Sequence, residues 1–294
     1  MLVGDALGVP YEFQTNLDQL PPELIELPPP NGFERSHPQA PPQAWSDDGA
    51  HALCLLASLL HQSELDLQDL GRRLVNWLDW GYLAVDGVVF DVGMQTSAAL
   101  AAVRAGVPAE RAGSSTERDN GNGSLMRVLP LALWHRGSDA ELIELASRQS
   151  LVTHGHLRAR VCCALYCLWV KGALQGASDP WADATRRLRA IVVGRADWQF
   201  ELDVHIRPER EPAGHGSGYV VDSLHSARLA AEAPTFEQVI RRAVALGDDT
   251  DTTAAIAGGF AGARHGLSGI PERWLTALPA HDLVDPLLAQ LLER

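Results

Sequence analysis

Lysine is almost absent from this chain: 24 of its 294 residues are lysine or arginine, and Lys171 is the only lysine. A P-loop needs a lysine followed by serine or threonine, whereas Lys171 is followed by glycine, so a nucleotide site of that kind is excluded. Schiff-base catalysis needs a reactive lysine amine, and it is disfavoured because the chain has a single lysine. The chemistry of this protein must therefore come from other side chains.

Positive charge is scarce overall, and the formal net charge is −13. Nucleic acids and anionic membrane surfaces are bound by basic stripes, so this balance argues against both as partners. An excess of carboxylates is also what a protein needs in order to gather ligands for cations.

Cysteines and long apolar runs are few. The four cysteines are Cys54, Cys162, Cys163 and Cys167. No two of them form a C-x-x-C pair, so a zinc ribbon or a dithiol motif is unsupported. We expect them to be buried thiols in a reducing, cytoplasmic setting. The run "VCCALYCLWV" is about half the length of a membrane span. Asp5 and Glu12 interrupt the N-terminal apolar stretch, which argues against a signal peptide.

Helical periodicity dominates what remains. In "DGAHALCLLASLL" (48–60), apolar residues recur at i, i+3, i+4, i+7 and i+10, counted from Ala50. Residues 67–83, 139–152, 157–174 and 235–246 show the same pattern. Only "WQFELDVHI" (198–206) suggests a short strand or hairpin. The sequence predicts an all-α fold, a compact helical bundle forming a single domain over 1–294.

One segment does not fit a helix. Residues 21–42 contain eight of the 18 prolines, which predicts an irregular surface excursion over about 14–45. Gly- and Ser-rich loops are also predicted near 112–124 and 210–218.

Two acidic clusters stand directly before apolar helical stretches. The stretch "LGDDTDTTAAIAGG" (246–259) places Asp249, Asp251 and Thr252 at a helix N-terminus. The stretch "AWSDDGAHALCLL" places a hydroxyl and two carboxylates, those of Ser46, Asp47 and Asp48, at the start of another helix. Helix capping explains one such side chain per helix but not so many. If the clusters converge, their repulsion is costly unless divalent cations neutralise it. Oxygen-only ligands select hard ions such as Mg²⁺ or Mn²⁺.

Other motifs fit a ligand cleft, although a plain turn or cap explains each one alone. Backbone amides of a Gly-rich loop entering a helix suit a phosphate, and the residues concerned are Asn120, Gly121, Asn122, Gly123 and Ser124. A second loop followed by an aromatic residue suits a base or a ribose, and it comprises Gly216, Ser217, Gly218 and Tyr219. Isolated acidic or imidazole groups occur in "GDALGVPYEF", "FDVG" and "THGH", namely Asp5, Glu12, Asp91 and His154.

Taken in order, these segments resemble the ADP-ribosylglycohydrolase family from residue 4 to about 263. The resemblance implies an all-α fold and two divalent metals, Mg²⁺ or Mn²⁺. By position it implies metal ligands at Ser46, Asp47, Asp48, Asp249, Asp251 and Thr252. It further implies catalytic or water-positioning roles for Glu12 and Asp91, a phosphate cradle at 121–124, and cleft positions at His154 and Tyr219. The chain departs from the family pattern where threonine is usual (Ser46 and Gly49) and where glycine is usual (Asp248). The family's first helix also normally begins several residues before its Gly-Asp motif, whereas here Met1 lies almost inside that motif.

The implied activity is hydrolysis of the C1″ glycosidic bond of an ADP-ribosylated protein or small molecule, releasing ADP-ribose. Two alternatives stay open: a two-metal phosphoesterase acting on nucleotide pyrophosphates, and a non-catalytic ADP-ribose-binding module. The sequence identifies neither the acceptor nor the oligomeric state, and it does not distinguish Glu12 from Asp91 as the acid.

Overall fold

The computed structural model of the chain describes residues 1–14, 17 and 20–294. Over that part of the chain the regular structure is helical and no β-strand occurs, which confirms the predicted all-α class. Four residues of the predicted excursion, 15, 16, 18 and 19, lie outside the described residues. The α-helices are α1 (Leu2–Gly8), α2 (Asp47–Gln62), α3 (Leu67–Trp80), α4 (Met94–Arg104), α5 (Leu129–Trp134), α6 (Asp139–Ser150), α7 (Leu157–Leu174), α8 (Pro180–Ile191), α9 (Ala196–Phe200), α10 (Val220–Ala230), α11 (Phe236–Val244), α12 (Thr250–His265), α13 (Glu272–Ala277) and α14 (His281–Leu292).

The helices pack into one compact domain around α7. Its residues Cys162, Cys163 and Cys167 are completely buried, and α5, α6, α8, α10 and α12 pack around it. A helix that is apolar on every side is expected at the centre of such a bundle. In the described residues, every helix is too short or too polar to cross a membrane.

The strand suggested for 198–206 is wrong. Helix α9 continues into a π-helical turn over Glu201–Ile206. The buried apolar side chains there are Trp198, Leu202 and Ile206, spaced by four residues, which is a helical spacing and not the period of two that a strand requires. The amide of Arg207 donates to the Leu202 carbonyl at 2.8 Å, closing the wide turn.

Helices α1 and α12 approach each other backbone to backbone. A Cβ at Gly4 would lie 2.1 Å from the Ala254 carbonyl oxygen, and one at Gly8 would lie 2.4 Å from the Asp251 Cα. Glycines four residues apart share one helix face, so this face of α1 has no side chains to separate the helices. The approach brings α1 against the first turn of α12.

The described part of the proline-rich segment is held mainly by side chains. It contains one 3₁₀ turn, Pro22–Leu24. Beyond this turn, Glu26 accepts hydrogen bonds from Arg241, from Arg273 (2.8 and 3.2 Å) and from the Trp274 indole (2.7 Å). These contacts fix the segment against α11 and α13.

Candidate active site and metal centre

The N-termini of α2 and α12 meet inside the bundle. Ser46 caps α2, and its hydroxyl donates to Asp48 Oδ2 at 3.1 Å. The Thr252 hydroxyl of α12 donates to the same oxygen at 3.1 Å. The two acidic clusters are therefore in direct contact, although about 200 residues separate them in the sequence.

A third helix adds a carboxylate that the sequence analysis did not assign to the site. Asp5 of α1 lies on the face that packs against α12, and carboxylate oxygens of Asp5, Asp48 and Asp251 lie within 4.8 Å of one another. Both Asp5 oxygens are already occupied, because they accept from the amides of Ser46 (2.9 Å) and Gly49 (2.7 Å). Asp5 thus holds the first turn of α2 in place. A Cβ at Gly49 would lie 2.8 Å from Asp5 Oδ2, so threonine would not fit here without a shift.

Two carboxylate oxygens in this cluster are buried without a hydrogen-bond partner among the described residues: Asp48 Oδ1 and Asp251 Oδ2. A buried, unpaired carboxylate oxygen is costly unless a cation or a proton occupies the space beside it. Both residues belong to sets of carboxylates close enough to share one ion. The residues therefore fit a hard divalent cation.

Burial and mutual repulsion perturb every carboxyl in the cluster. Burial raises the pKa of Asp47, Asp48 and Asp251 well above the usual aspartate range, and the neighbouring carboxylates raise it further. Burial likewise raises the pKa of Asp249 to about 8, and that of Asp5 to about 7 despite the amides that it accepts. The positive ends of α2 and α12 offset part of this repulsion. A bound cation would offset the rest.

Glu12 and Asp91 lie beside this cluster. Carboxylate oxygens of Glu12, Asp249 and Asp251 lie within 4.8 Å of one another, as do ligand atoms of Glu12, Asp91 and His37. Glu12 Oε2 is 2.5 Å from His37 Nε2. Burial, followed by repulsion from the surrounding aspartates, raises the pKa of Glu12 to about 12. Burial raises the pKa of Asp91 to about 6, again with an aspartate neighbour adding to the shift.

Left-handed backbone marks three positions around these acids. Asp91 has a φ of 54°, Phe13 one of 53° and Asp248 one of 59°. Aspartate tolerates this region better than most residues, which explains how Asp248 replaces the glycine usual in the family. Asp248 is exposed, and its carbonyl accepts from the Phe13 amide at 2.8 Å. The turn before α12 thereby fixes the backbone that carries Glu12.

A cavity of about 950 Å³ opens beside the acidic cluster. Of the predicted site residues, the structure brings ten to its walls: Glu12, Asp47, Asp91, Gly121, Asn122, Gly123, His154, Gly218, Asp249 and Thr252. Ser46, Asp48 and Asp251 lie behind them in the acidic cluster. The cavity volume is in the range of small-ligand sites.

The two predicted ligand loops pair with each other. Asn122 N donates to the Gly218 carbonyl (3.1 Å) and Val220 N to the Asn120 carbonyl (2.9 Å). The Asn122 side chain also donates to Asp249 Oδ2 at 2.7 Å, which links the loop to the acidic cluster. The predicted direct passage from this loop into a helix is wrong, because α5 begins only at Leu129 after a turn.

Five predicted ligand-loop residues do not line the cavity. Three make local contacts: Gly216 N donates to Ser226, Ser217 donates to Asp222, and Asn120 donates to the Glu117 carbonyl. The Ser124 hydroxyl is buried and accepts from Ser150 at 2.7 Å. Tyr219 is 39% exposed, and its hydroxyl accepts from Arg158 at 3.2 Å.

Sequence reasoning missed three groups that the fold places next to predicted site residues. His37 belongs to the proline-rich segment and contacts Glu12, and no local pattern marks it. Arg127 and Thr153 lie in buried turns behind the 120–124 loop and contact each other. An arginine in the otherwise apolar stretch "SLMRVLPLAL" was the available signal for Arg127.

Comparison with known proteins agrees with this architecture. The family model described as ADP-ribosylglycohydrolase matches residues 1–294. The chain is 31% identical to the ADP-ribosylarginine hydrolase Tri1 of Pseudomonas putida (strain GB-1), covering 100% of this chain and 76% of that protein. It is 28% identical to the ADP-ribosyl-[dinitrogen reductase] glycohydrolase of Rhodospirillum rubrum, covering 95% and 87%.

More distant and structural relatives agree. The human ADP-ribosylhydrolase ARH3 is 26% identical, covering 100% of this chain and 90% of its own length. A solved structure titled ADP-ribosylglycohydrolase-related protein complex superposes with a TM-score of 0.73 at 31% identity, covering 99% of this chain and 93% of that one. The chain therefore belongs to the ADP-ribosylglycohydrolase family, and it is a hydrolase of ADP-ribosyl glycosidic bonds.

Proposed function

We propose that this hydrolase depends on two divalent cations, Mg²⁺ or Mn²⁺, held by the acidic cluster. The observation that carries the proposal is a pair of buried oxygens that find no partner among the described residues, Asp48 Oδ1 and Asp251 Oδ2. The ligands would come from the N-termini of α2 and α12: Ser46, Asp47, Asp48, Asp249, Asp251 and Thr252. Asp5 has both oxygens occupied by backbone amides, so it positions α2 and is not assigned as a ligand.

The catalytic groups are assigned to the side of the cavity next to this cluster. When bound, the cations would polarise the distal ribose hydroxyls and favour ionisation of a water molecule. Glu12 and Asp91 supply carboxyl groups there to position water and to transfer a proton to or from the leaving group. The negative charge of Asp91 would also stabilise the oxocarbenium-like character that develops at C1″ when the glycosidic bond breaks.

The rest of the cavity would bind ADP-ribose. Gly121, Asn122 and Gly123 present a tight glycine-containing loop for the pyrophosphate. His154 and Gly218 complete this wall. The residues that pair or cap the loops, namely Asn120, Ser124, Gly216, Ser217 and Tyr219, support its shape.

We infer that the acceptor is an arginine side chain. Four carboxylates line the cavity next to the cluster: Glu12, Asp47, Asp91 and Asp249. Asp47 and Asp249 are assigned to the cations, but Asp91 is largely ionised at neutral pH and favours a cationic guanidinium over a neutral serine or ester acceptor. The 31% identity to an ADP-ribosylarginine hydrolase supports the same choice. The four free, buried cysteines are consistent with a reducing compartment such as the cytoplasm.

The test is a product assay on a panel of ADP-ribosylated acceptors with Mg²⁺, with Mn²⁺ and with EDTA. The panel holds arginine-linked and serine-linked peptides, an acetyl ester, a modified nucleobase and poly-ADP-ribose. We expect ADP-ribose and the unmodified arginine peptide from the first substrate and no turnover in EDTA. Release of AMP would identify a phosphoesterase instead, and full activity in EDTA would refute the metal site.

A further inference from the structure

A completely buried arginine lies behind the predicted pyrophosphate loop. Arg127 donates through Nε to Gln149 Oε1 (2.9 Å), through Nη2 to the Gln149 carbonyl (3.0 Å), and through Nη1 to the Gly123 carbonyl (3.1 Å) and the Thr153 hydroxyl (2.7 Å). None of these partners is a carboxylate, although buried arginines are normally paired with one. This arrangement therefore keeps a positive charge directly beneath the loop.

The Thr153 hydroxyl joins this arginine to His154. A hydroxyl has one proton to donate and two lone pairs to accept with, whereas a guanidinium only donates. Thr153 Oγ1 must therefore accept from Arg127, and its own proton is free for another partner. That partner is His154 Nδ1, at 2.8 Å. Arg127 and His154 are the two hydrogen-bond partners of this hydroxyl among the described residues, so its proton goes to Nδ1, which leaves the ring proton on Nε2.

The Nε2 side of the ring faces the loop and the cavity. His154 lines the cavity wall. A Cβ built at Gly121 or at Gly123 would lie 3.3 Å from His154 Nε2, and one at Gly123 would lie 2.8 Å from His154 Cε1. The loop therefore needs glycine at 123 for the imidazole to pack beneath it.

We propose that Arg127, acting through the Thr153 hydroxyl, is a positioning residue that fixes His154 as the neutral imidazole with its Nε2–H turned toward the cavity, where it donates to an oxygen of bound ADP-ribose. The identity of the ligand rests on the proposed function, whereas the position of the ring proton does not.

The surroundings of the ring keep it in this neutral form. Burial, reinforced by the positive charge of Arg127, lowers the pKa of His154 to about 3. His154 is therefore a donor of fixed geometry over the whole working pH range. It does not act as a general acid or base.

The test uses the full-length protein labelled with ¹⁵N-histidine, with and without ADP-ribose. Two-bond ¹H–¹⁵N spectra distinguish a protonated from an unprotonated ring nitrogen, and His154→Gln identifies the His154 signals. Thr153→Val removes the hydroxyl at nearly constant shape, and Thr153→Ser retains it as the matched control. The second readout is the Kd for ADP-ribose by calorimetry.

We expect the ligand-free wild type and Thr153→Ser to carry the proton on Nε2 alone. In Thr153→Val the proton should move to Nδ1 or exchange between the two nitrogens, and the Kd for ADP-ribose should rise on the order of tenfold. Thr153→Ser should retain the wild-type Kd, which a purely steric role of Thr153 would not predict.

Two results would overturn the inference: a wild-type proton on Nδ1, or the same tautomer and Kd in Thr153→Val as in the wild type. If Thr153→Val does not fold, Thr153→Ala takes its place, and the wild-type spectrum still decides the tautomer. A wild-type protein that carries the proton on Nε2 but does not bind ADP-ribose would refute the proposed function and leave the positioning role intact.

Discussion

At the scale of single residues, the site is defined by carboxylates that the protein buries without neutralising them. Asp48 and Asp251 each leave one oxygen without a partner, while Asp5 has both oxygens satisfied by amides. Three buried aspartates within 4.8 Å of one another thus serve two purposes, ligation and support. Neighbouring Asp248 is exposed and serves a backbone turn instead.

Asp48→Asn should separate metal binding from folding. In EDTA the variant should be at least as stable as the wild type, because one carboxylate leaves a repelling cluster. With Mg²⁺ at a hundredfold excess over Kd, the wild type should gain about 2.7 kcal/mol and the variant much less. Turnover should fall on the order of 100-fold or more. Thermal unfolding and product assays with and without Mg²⁺ measure these effects.

Asp248→Asn is the control, because asparagine also tolerates positive φ and Asp248 is exposed. It should leave both stability and turnover nearly unchanged. An Asp48→Asn protein with wild-type activity and metal response would remove Asp48 from the site.

Comparing Glu12→Gln with Asp91→Asn should show which of the two residues acts as the acid–base group. If Glu12 transfers the proton or positions water, Glu12→Gln should reduce kcat by about 100-fold or more with the ADP-ribose Kd largely retained. Burial and neighbouring aspartates raise the Glu12 pKa to about 12 and the Asp91 pKa only to about 6, so in the cation-free site Glu12 carries a proton at neutral pH while Asp91 is largely ionised. Single-turnover rates at saturating metal compare the two.

If Glu12→Gln keeps nearly the wild-type single-turnover rate while Asp91→Asn loses most of it, the acid–base role belongs to Asp91. Rescue of Glu12→Gln by excess Mg²⁺ would instead make Glu12 an organiser of the metals.

At the scale of helices, the site depends on how closely α1 and α12 approach. Gly4 and Gly8 leave no side chain between the helices, and that contact brings Asp5 to Asp251. The third element is α2, whose first turn Asp5 holds through the amides of Ser46 and Gly49. Helix α1 and the N-termini of α2 and α12 must therefore keep their relative positions for the acidic cluster to form.

Gly8→Ala should destabilise the protein and weaken metal binding together. The new methyl group would lie 2.4 Å from the Asp251 Cα, and relieving such a contact costs about 2–3 kcal/mol. Because the relief moves α1 away from α12, the Mg²⁺ affinity should fall as well. Urea unfolding and Mg²⁺ calorimetry check the two effects.

Gly262→Ala is the matched control on α12, since a Cβ there would meet nothing within 4 Å. It should be neutral, or stabilising by up to about 1 kcal/mol through helix propensity. Equal stability of Gly8→Ala and Gly262→Ala would show that the α1–α12 contact is less tight than described.

At the scale of the whole molecule, Glu26 connects the N-terminal and C-terminal parts of the chain. It accepts from Arg241, Arg273 and the Trp274 indole, partners more than 200 residues away. Burial alone would raise its pKa, but the hydrogen bonds from Arg273, Trp274 and Arg241 outweigh burial and lower the pKa to about 2. These contacts restrain the segment that carries His37 against Glu12.

Glu26→Gln should therefore show a pH-dependent loss of stability. The folded-state pKa is below the ordinary glutamate value of about 4.3, so the ionised form stabilises the fold above that pH. We expect a loss of about 1 kcal/mol at pH 7, since the group is partly exposed. The difference should shrink as the pH falls below about 4 and disappear near 2. Urea unfolding at several pH values measures it.

Glu23→Gln, on the exposed turn of the same segment, should match the wild type throughout. A Glu26→Gln deficit that is independent of pH would mean that shape and not charge holds the segment.

The sequence by itself determined the helical class and the types of side chain available as metal ligands and catalytic groups. Helical periodicity reports which face of a local stretch is buried, so α2, α3, α6, α7 and α11 were predictable within a few residues. Hydroxyl and carboxylate pairs at two helix starts indicated hard-ion ligands, and the family resemblance named the reaction. The assignment was wrong at 198–206, where helix α9 continues into a π-helical turn, and α4, α8, α10 and α14 were not predicted.

Only the tertiary structure decided which side chains meet. Asp5 supports the acidic cluster because Gly4 and Gly8 let two helices touch, and His37 reaches Glu12 because the neighbouring Ser36 amide donates to the Pro10 carbonyl at 3.1 Å. Arg127 and Thr153 lie behind His154 because separate turns fold onto one another. Contacts between residues far apart in the chain leave no periodic trace in it, because they depend on how helices pack and not on how each helix forms.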